Sequence, residues 1–527
     1  MGNLNEARSL LIKAVAINEK AYKPDHPTLA ISYSNLATVE QDLGNLNEAR
    51  ALMLKAIAIN EKIYEPDHPT LATSYSNLAM VEQNLDNIEE SLAFRAKYIA
   101  IQRHHIEQND RNDLRLELAY AEHNQGQLQQ QLGQLAEAEA SQRAYLEQIR
   151  CLVDKEGRTD LRTQVEIALT WLASVLYGQG KVVEVEVCHK ERVALLRQLL
   201  AEHREEARES DLAEALGWQG KSLHELGLFP QALLCYRESL QIDKVLTETN
   251  HARPSLDYMN TLYAVADVEE ILGLYPAARQ HLLALLALLR DLPSLEQKED
   301  EISGLLDMAT SRLCDVLIAS KELADASNRV REYGELPKEP PEQVGHVNLH
   351  LLKLCQLQGQ LALEQQRFEE AIAWFRQGLE QARHAEAAGQ PEAGFWADSF
   401  QYRLAQALFE AHLPESEAAV EIALSCCRKW VATSNQDNAN SFLARSLMLK
   451  ARALLESGQS TAACPYAEEA QTLLQPLAGK AWFQRKFLAE CLRLHADIRE
   501  SSGEGEVAGQ LRHEATTTLE RPQQWEL

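Results

Sequence analysis

Residues 2–8 read GNLNEAR, and the same seven letters return at residues 44–50, 42 positions later. Two further segments repeat with that offset: PDHPTLA at 24–30 and 66–72, and YSNLA at 33–37 and 75–79. Several segments that share one period indicate a tandem repeat, and a repeat of this length is typical of a solenoid.

The period continues in weaker form to the end of the chain, with steps of 42–48 residues. A small residue follows each predicted turn in the series Ala7, Ala49, Ser91, Ala138, Val185, Ala232, Ala278, Ala371, Ala418 and Ala463, with poorer matches near Asp325 and Val507. Another precedes the turn in the series Ala37, Ala79, Gly126, Ala173, Gly220, Ala266, Gly359 and Ala451. Small residues at fixed points let two helices approach closely. Each unit is therefore predicted to be helix A, a tight turn and helix B.

The scarcity of Gly and Pro, the residues that most often form turns, supports an all-α chain. Only 23 Gly and 16 Pro occur among 527 residues, too few for the frequent turns of a sheet protein. We predict a right-handed α-solenoid, a superhelix of eleven to twelve helix-turn-helix units that forms one continuous rod. Its segments are expected to be short repeats over 1–100, longer repeats over 101–519, and a flexible tail over 520–527.

This pattern resembles the tetratricopeptide repeat, in which a small residue in helix A, a turn Gly and an Ala in helix B recur. Residues 1–100 resemble the 42-residue repeats of kinesin light chains more closely. The likeness is carried by YSNLA at 33–37, by Gly44 with Glu48 and Ala49, and by PDHP at 66–69. The first unit lacks its helix A, because Met1 stands directly before the turn Gly2.

Composition excludes several classes of partner. The chain carries 52 Lys and Arg against 78 Asp and Glu, a net charge of −26, which disfavours nucleic acid and anionic membrane surfaces. The longest apolar run, residues 282–289, is too short to cross a bilayer. Nine cysteines without a C-x-x-C spacing fit a reducing compartment. A cytoplasmic protein that binds proteins or peptides is therefore expected.

No motif predicts catalysis, a cofactor or a metal ion, so we expect a non-enzyme. Gly220-Lys221-Ser222 lacks the earlier Gly and the preceding strand of a phosphate-binding loop. Cys188 and His189 are adjacent on a predicted helix and diverge by about 100°, so they cannot form a nucleophile–base pair. In the two PDHP segments the Asp is expected to cap the next helix, with the second Pro in its first turn.

Three asparagines form the one candidate binding feature. Asn35, Asn77 and Asn124 lie two positions before the small residue of successive A helices. An amide offers one acceptor and two donors, enough to pair with a peptide backbone. The kinesin-light-chain resemblance implies that such asparagines hold ligand peptides in the groove, and the competing interpretation is a residue that only closes the helix pair. The neighbouring polar anchors are predicted to be Ser34, Ser76 and His123.

The same position later in the chain holds Trp171, Trp218, Ala264 and Leu357, so the groove is expected to become apolar. A Lys/Arg clamp for a peptide terminus is not expected either, since the corresponding places hold Ile31, Thr73 and Tyr120.

The sequence therefore predicts a non-catalytic interaction scaffold that binds a peptide or a partner domain on the concave face. The alternative is a sensor or docking segment of a signalling kinase or of a STAND-type ATPase (a signal-transducing nucleotide switch) whose catalytic domain is absent from this chain. Homo-oligomerisation through the uncapped first helix is a further possibility, because Leu10, Leu11 and Ile17 have no partner before them.

Overall fold

The computed structural model describes residues 2–202, 206–249, 255–290, 299–336, 348–390, 393–433 and 437–520. Within these ranges the regular structure consists of twenty-three α-helices and two single-turn 3-10 helices, with no strand. The prediction of an all-α protein is confirmed. The tail predicted over 520–527 lies, from residue 521 onward, outside the described residues.

The chain is divided into two compact units, Met1–Arg204 and Glu205–Leu527. The helices of the first unit are α1 Gly2–Ala21, α2 Pro27–Asp42, α3 Leu46–Ile63, α4 Pro69–Asn84, α5 Ile88–Asn109, α6 Arg115–Gln131, α7 Leu135–Asp154, α8 Arg162–Gly178 and α9 Val182–Glu202. Those of the second unit are α10 Glu206–Glu225, α11 Phe229–Thr249, α12 Leu256–Ile271, α13 Tyr275–Arg290, α14 Glu299–Ala319, α15 Leu323–Glu335, α16 Leu349–Glu364, α17 Phe368–Ala387, α18 Ala393–Glu410, α19 Ser416–Thr433, α20 Asp437–Glu456, α21 Ser460–Leu474, α22 Trp482–Ser501 and α23 Gly505–Thr518.

Within each unit every helix contacts the next one along the chain, as expected of an α-solenoid. After the single helix α1, the helices form successive A–B pairs that begin with α2 and α3 and end with α22 and α23. In the second unit each A helix also contacts the A helix of the following pair, from α10 through to α22. The A helices of this unit therefore form a continuous wall. The predicted boundary near residue 100 rests on repeat length and stays a prediction.

A residue with left-handed backbone terminates each A helix. These residues are Gly44, Asp86, Gly133, Gly180, Gly227, Gly273, Lys321, Gln366, His412, Gly458 and Gly503, with φ between +52° and +85°. In each case the following N–H donates to a carbonyl five residues back, as Asn45 does to Glu40, which is the Schellman arrangement. The residues are 42 positions apart in the first step and 45–48 thereafter, so the turn confirms the period. We call each of them the turn residue of its pair.

Seven residues before every turn residue lies a buried small residue that faces helix B. Three of these residues are Gly126, Gly220 and Gly359, and their partners explain why alanine does not suffice. A Cβ at Gly220 would lie 2.7 Å from the Tyr236 ring, and one at Gly359 would lie 2.3 Å from the Phe375 ring. A large side chain on helix B is therefore accommodated by a glycine on helix A.

One predicted helix-B position, Ala418, is wrong by one residue. Ala419 is buried and Ala418 is exposed, because the turn after α18 includes two additional residues before α19 begins at Ser416. Near the end of the chain Ala508 is fully buried, whereas Val507 is 39% exposed. The poorer match near Asp325 corresponds to Ala326, which is fully buried.

The capping residue predicted in the PDHP segments is also wrong. His26 Nδ1 accepts a hydrogen bond from the Thr28 N–H at 3.3 Å, and His68 does the same for Thr70 at 3.1 Å. The second Pro occupies the first helical position, as predicted. Histidine replaces aspartate as the cap because its ring stacks on a tyrosine four residues earlier, with centroids 4.0–4.2 Å apart.

Candidate peptide-binding face

The three asparagines occupy equivalent places in the first unit, each nine residues before a turn residue. Asn35 lies on α2, Asn77 on α4 and Asn124 on α6. Asn35 and Asn124 are exposed and Asn77 is half-buried. Among the described residues none of their side-chain amides has a hydrogen-bond partner, so all three remain available to a ligand. We call this set the asparagine ladder.

Exposed apolar side chains accompany the asparagine ladder. Ile31 and Tyr120 precede Asn35 and Asn124 by four residues, and Met80 follows Asn77 by three. Residues spaced three or four apart lie on the same face of a helix. Ile31 is 59% exposed and Met80 is 50% exposed. Each asparagine of the ladder therefore lies beside an exposed apolar side chain. That combination suits an extended peptide, whose backbone is polar and whose alternate side chains need apolar pockets.

The side chains of the three predicted polar anchors, Ser34, Ser76 and His123, differ in their hydrogen bonding. The side chains of Ser34 and Ser76 are half-buried and, among the described residues, have no hydrogen-bond partner. His123 Nδ1 lies 3.2 Å from the Gln142 amide oxygen. Burial lowers the pKa of His123, so at neutral pH the ring is uncharged and Nδ1–H donates to Gln142. Its role as an anchor, like that of the other site residues, stays a prediction.

The asparagine ladder ends at α8. Trp171 takes the equivalent place and contacts the His123 ring at a centroid distance of 5.3 Å, so the A-helix surfaces of α6 and α8 meet at this point. In the second unit the expectation of an apolar groove is wrong at two helices. Arg312 on α14 and Arg403 on α18 occupy the same register, nine residues before their turn residues. The sequence series missed both because the turn residues Lys321 and His412 are not glycines.

The adjacent pair Cys188 and His189 is unsuited to nucleophilic chemistry. Burial raises the pKa of the Cys188 thiol to about 11 and lowers the pKa of His189 to about 4. The thiol is therefore protonated at neutral pH, and the imidazole is a weak base. This environment agrees with the interpretation of Cys188 as a buried apolar residue.

One group among the described residues has the composition of a cation site. Cys464, Glu468 and His495 place one ligand atom each within 4.8 Å of one another. Arg499 already donates to His495 Nε2 at 3.1 Å and pairs with Glu468. Its guanidinium supplies the positive charge that a metal ion would bring, so we assign no metal site to this group.

None of the helices in the described part of the chain is long and apolar enough to cross a bilayer.

The geometry defines a class of protein, an all-α chain of tandem helical repeats. Family models described as "Tetratricopeptide repeat" match residues 1–45, 28–104 and 352–384. These matches coincide with helices α1 to α5 and with the pair α16–α17. Residues 1–104 and 352–384 therefore consist of tetratricopeptide repeats.

Solved structures with a similar arrangement of helices include three of note. The repeats of a putative kinesin light chain from Podosopora anserina are 22% identical, over 39% of this chain and 90% of theirs, with a TM-score of 0.32. BtubC from P. vanneervenii is 20% identical over 48% and 92%, with a TM-score of 0.32. The quorum sensor NprR from B. thuringiensis is 11% identical over 79% and 99%, with a TM-score of 0.45. No curated protein matches the chain.

Proposed function

We propose that the protein is a non-catalytic interaction scaffold whose first unit binds an extended peptide along the A helices α2, α4 and α6. The observation that carries this proposal is the asparagine ladder, with amides that have no intramolecular partner among the described residues. A tetratricopeptide-repeat fold is typical of protein-interaction modules, which supports the general role. The finer assignment to these helices rests on the free amides and on the apolar side chains beside them.

The repeat geometry explains how such a face would act. Because the Schellman turn fixes each A helix, the three asparagines are held at equivalent points by rigid elements rather than by loops. Each amide can donate to a peptide carbonyl and accept from a peptide N–H. Ile31, Met80 and Tyr120 would cover alternate side chains of the ligand. Recognition would then depend mainly on the backbone of the ligand.

The test uses immobilised full-length protein and a pool of acetylated random nonapeptides, with retained peptides quantified by mass spectrometry. Replacing Asn77 and Asn124 with Ala removes two amides. At about 0.5–1.5 kcal/mol each, this change should weaken retention by about 5- to 150-fold. A second pool with N-methylated backbones lacks the N–H donors and should be retained as poorly by the unmodified protein.

Asn47→Ala provides the matched control, because Asn47 is exposed on α3, the helix B of the first pair, and lies outside the asparagine ladder. This variant should retain the peptides like the unmodified protein. Equal retention of both pools, or undiminished binding by the Asn77/Asn124 variant with unchanged thermal stability, would refute the proposed face.

A further inference from the structure

Arg403 on α18 lies nine residues before its turn residue, at a position where neighbouring repeats have a buried aliphatic side chain. The same register holds Leu357 in the preceding pair and Leu449 in the following one, and both are almost completely buried. The Arg403 guanidinium faces the Gln360 amide, whose oxygen, in the orientation that satisfies both groups, accepts from Nη1 and, at 3.2 Å, from Nη2. Its Nε lies 3.4 Å from Ser399 Oγ. Among the described residues no carboxylate lies within ion-pair distance.

A second arginine on the next A helix adds to this charge. The Arg445 guanidinium on α20 lies 4.6 Å from the centroid of the Tyr402 ring and 4.4 Å from that of Phe487. It too has no ion-pair partner in the part of the chain that the structure describes. Burial, together with the charge of Arg445, lowers the pKa of Arg403 to about 10. Both arginines are half-buried. A partly desolvated cation without a counter-ion is costly, so this pair is an arrangement that a ligand anion would stabilise.

The charged neighbours leave a local positive excess. Lys353 pairs with Asp315 at 2.7 Å, and Arg452 pairs with Glu410 at 2.8 Å. Asp315 lies near enough to Arg403 to oppose part of its pKa shift. Glu490 on α22 is influenced by Arg445, but it forms no ion pair among the described residues. Lys486 and Arg493 also face Glu490, so the A-helix wall is locally cationic in a chain of net charge −26.

We propose that Arg403 and Arg445 bind the carboxylate of an acidic side chain in a peptide that lies across α18 and α20. Guanidinium groups match a planar carboxylate with paired hydrogen bonds. The rings of Tyr402 and Phe487 beside Arg445 form an apolar wall for the aliphatic part of that side chain. A singly charged group fits better than a phosphate, because Glu490 and Asp315 would repel a second negative charge.

This site lies in the second unit and does not use the asparagine ladder, so the two proposals can fail separately. The test compares three pools of acetylated nonapeptide amides, with random flanks and a central Glu, Gln or phosphoserine. Each pool is passed over the immobilised full chain, and retained peptides are quantified by mass spectrometry. Peptides with Glu should be enriched at least tenfold over those with Gln. Arg403→Gln and Arg445→Gln should each abolish the preference.

Two controls separate binding from structure. Arg428→Gln removes a cation that is ion-paired to Glu469 on the B helices, and this variant should keep the preference for Glu. Because Arg403 lacks a counter-ion, Arg403→Gln should leave the thermal midpoint unchanged or raise it.

The proposal is overturned if the unmodified chain retains the Glu and Gln pools equally, or if it prefers phosphoserine. It is also overturned if either arginine variant keeps the preference, or if Arg403→Gln lowers the thermal midpoint by several degrees, which would assign Arg403 a structural role.

Discussion

The close approach of helix A to helix B at glycine can be tested at Gly359 in α16. A Cβ built on Gly359 would lie 2.3 Å from Cε1 and 2.6 Å from Cδ1 of Phe375. Phe375 is fully buried, so its ring cannot swing into solvent. Gly359→Ala must therefore displace the ring or separate α16 from α17.

Two opposing contributions set the magnitude. Overpacking a filled core costs about 1–3 kcal/mol, whereas alanine in a helix interior gains about 0.8–1 kcal/mol over glycine. Gly217 in α10 provides the matched control, because a Cβ there would meet its nearest atoms at 3.8 and 3.9 Å, an ordinary contact distance. Gly217→Ala should therefore stabilise its pair by up to about 1 kcal/mol. The difference between the two variants isolates the steric cost.

Hydrogen exchange read by mass spectrometry is the appropriate assay, because a repeat array opens locally and one global free energy of unfolding is poorly defined. Gly359→Ala should reduce protection over α16 and α17, and Gly217→Ala should increase it over α10 and α11. Phe375→Leu removes the clash, so the double variant should lose less protection than the sum of the two single losses. Equal shifts of the same sign in both alanine variants, or simple additivity in the double variant, would refute the packing explanation.

Three further predictions concern turns, a buried acid and pH. Gln366→Gly should stabilise its pair by about 0.5–1 kcal/mol because φ is +58° there. Gly458→Ala, with nothing within 4 Å of its Cβ, should cost about 1 kcal/mol, and local hydrogen exchange reads both changes. Glu82 is fully buried and accepts from Arg50 and Asn87, each at 2.7 Å, so Glu82→Gln should cost about 1–3 kcal/mol; unchanged protection over α3 to α5 would contradict this. Burial raises the pKa of Asp243 to about 6, so the folded chain binds this proton more tightly than the unfolded chain. This group therefore lowers stability as pH rises from about 4 to 6. Asp243→Asn should raise the thermal midpoint at pH 7 and flatten its dependence over that range, and an unaltered pH profile would refute this assignment.

The repeat could be predicted from the sequence because the turn imposes both a conformation and a spacing. Gly44 and Gly133 adopt a left-handed backbone that favours glycine, and the pattern is therefore visible as letters. Lys321 and Gln366 adopt the same conformation without being glycine. The repeat at Lys321 consequently gave only a weak match, whereas the repeat at Gln366 was recognised through Gly359 and Ala371. At His412 the longer turn places the buried helix-B residue, Ala419, seven rather than five residues after the turn residue.

The asparagine ladder was also visible in the sequence, because Asn35 and Asn77 fall within the strictly repeated first hundred residues and Asn124 lies at the same distance before the turn Gly133. The amino-acid sequence alone could not show whether the side-chain amides of these asparagines form hydrogen bonds within the folded chain. The arginine pair was missed for a different reason. Arg403 becomes notable only when its turn residue, His412, is located and when Arg445 is found beside it without a carboxylate. Both facts depend on the packing of separate helices.

The register nine residues before the turn residue connects the two proposed sites. The Schellman turn fixes the backbone at this register, so the side chain alone decides its role. Leu357 fills the space and closes the helix pair, Asn35 leaves an amide in solvent, and Arg403 places a cation where apolar contact is normal. A polar residue at this register lacks the apolar burial that leucine would provide. Positions that lower local stability in this way are characteristic of binding sites. Under the two proposals, the asparagines in the first unit and Arg403 in the second are therefore positions at which a polar side chain serves recognition rather than packing.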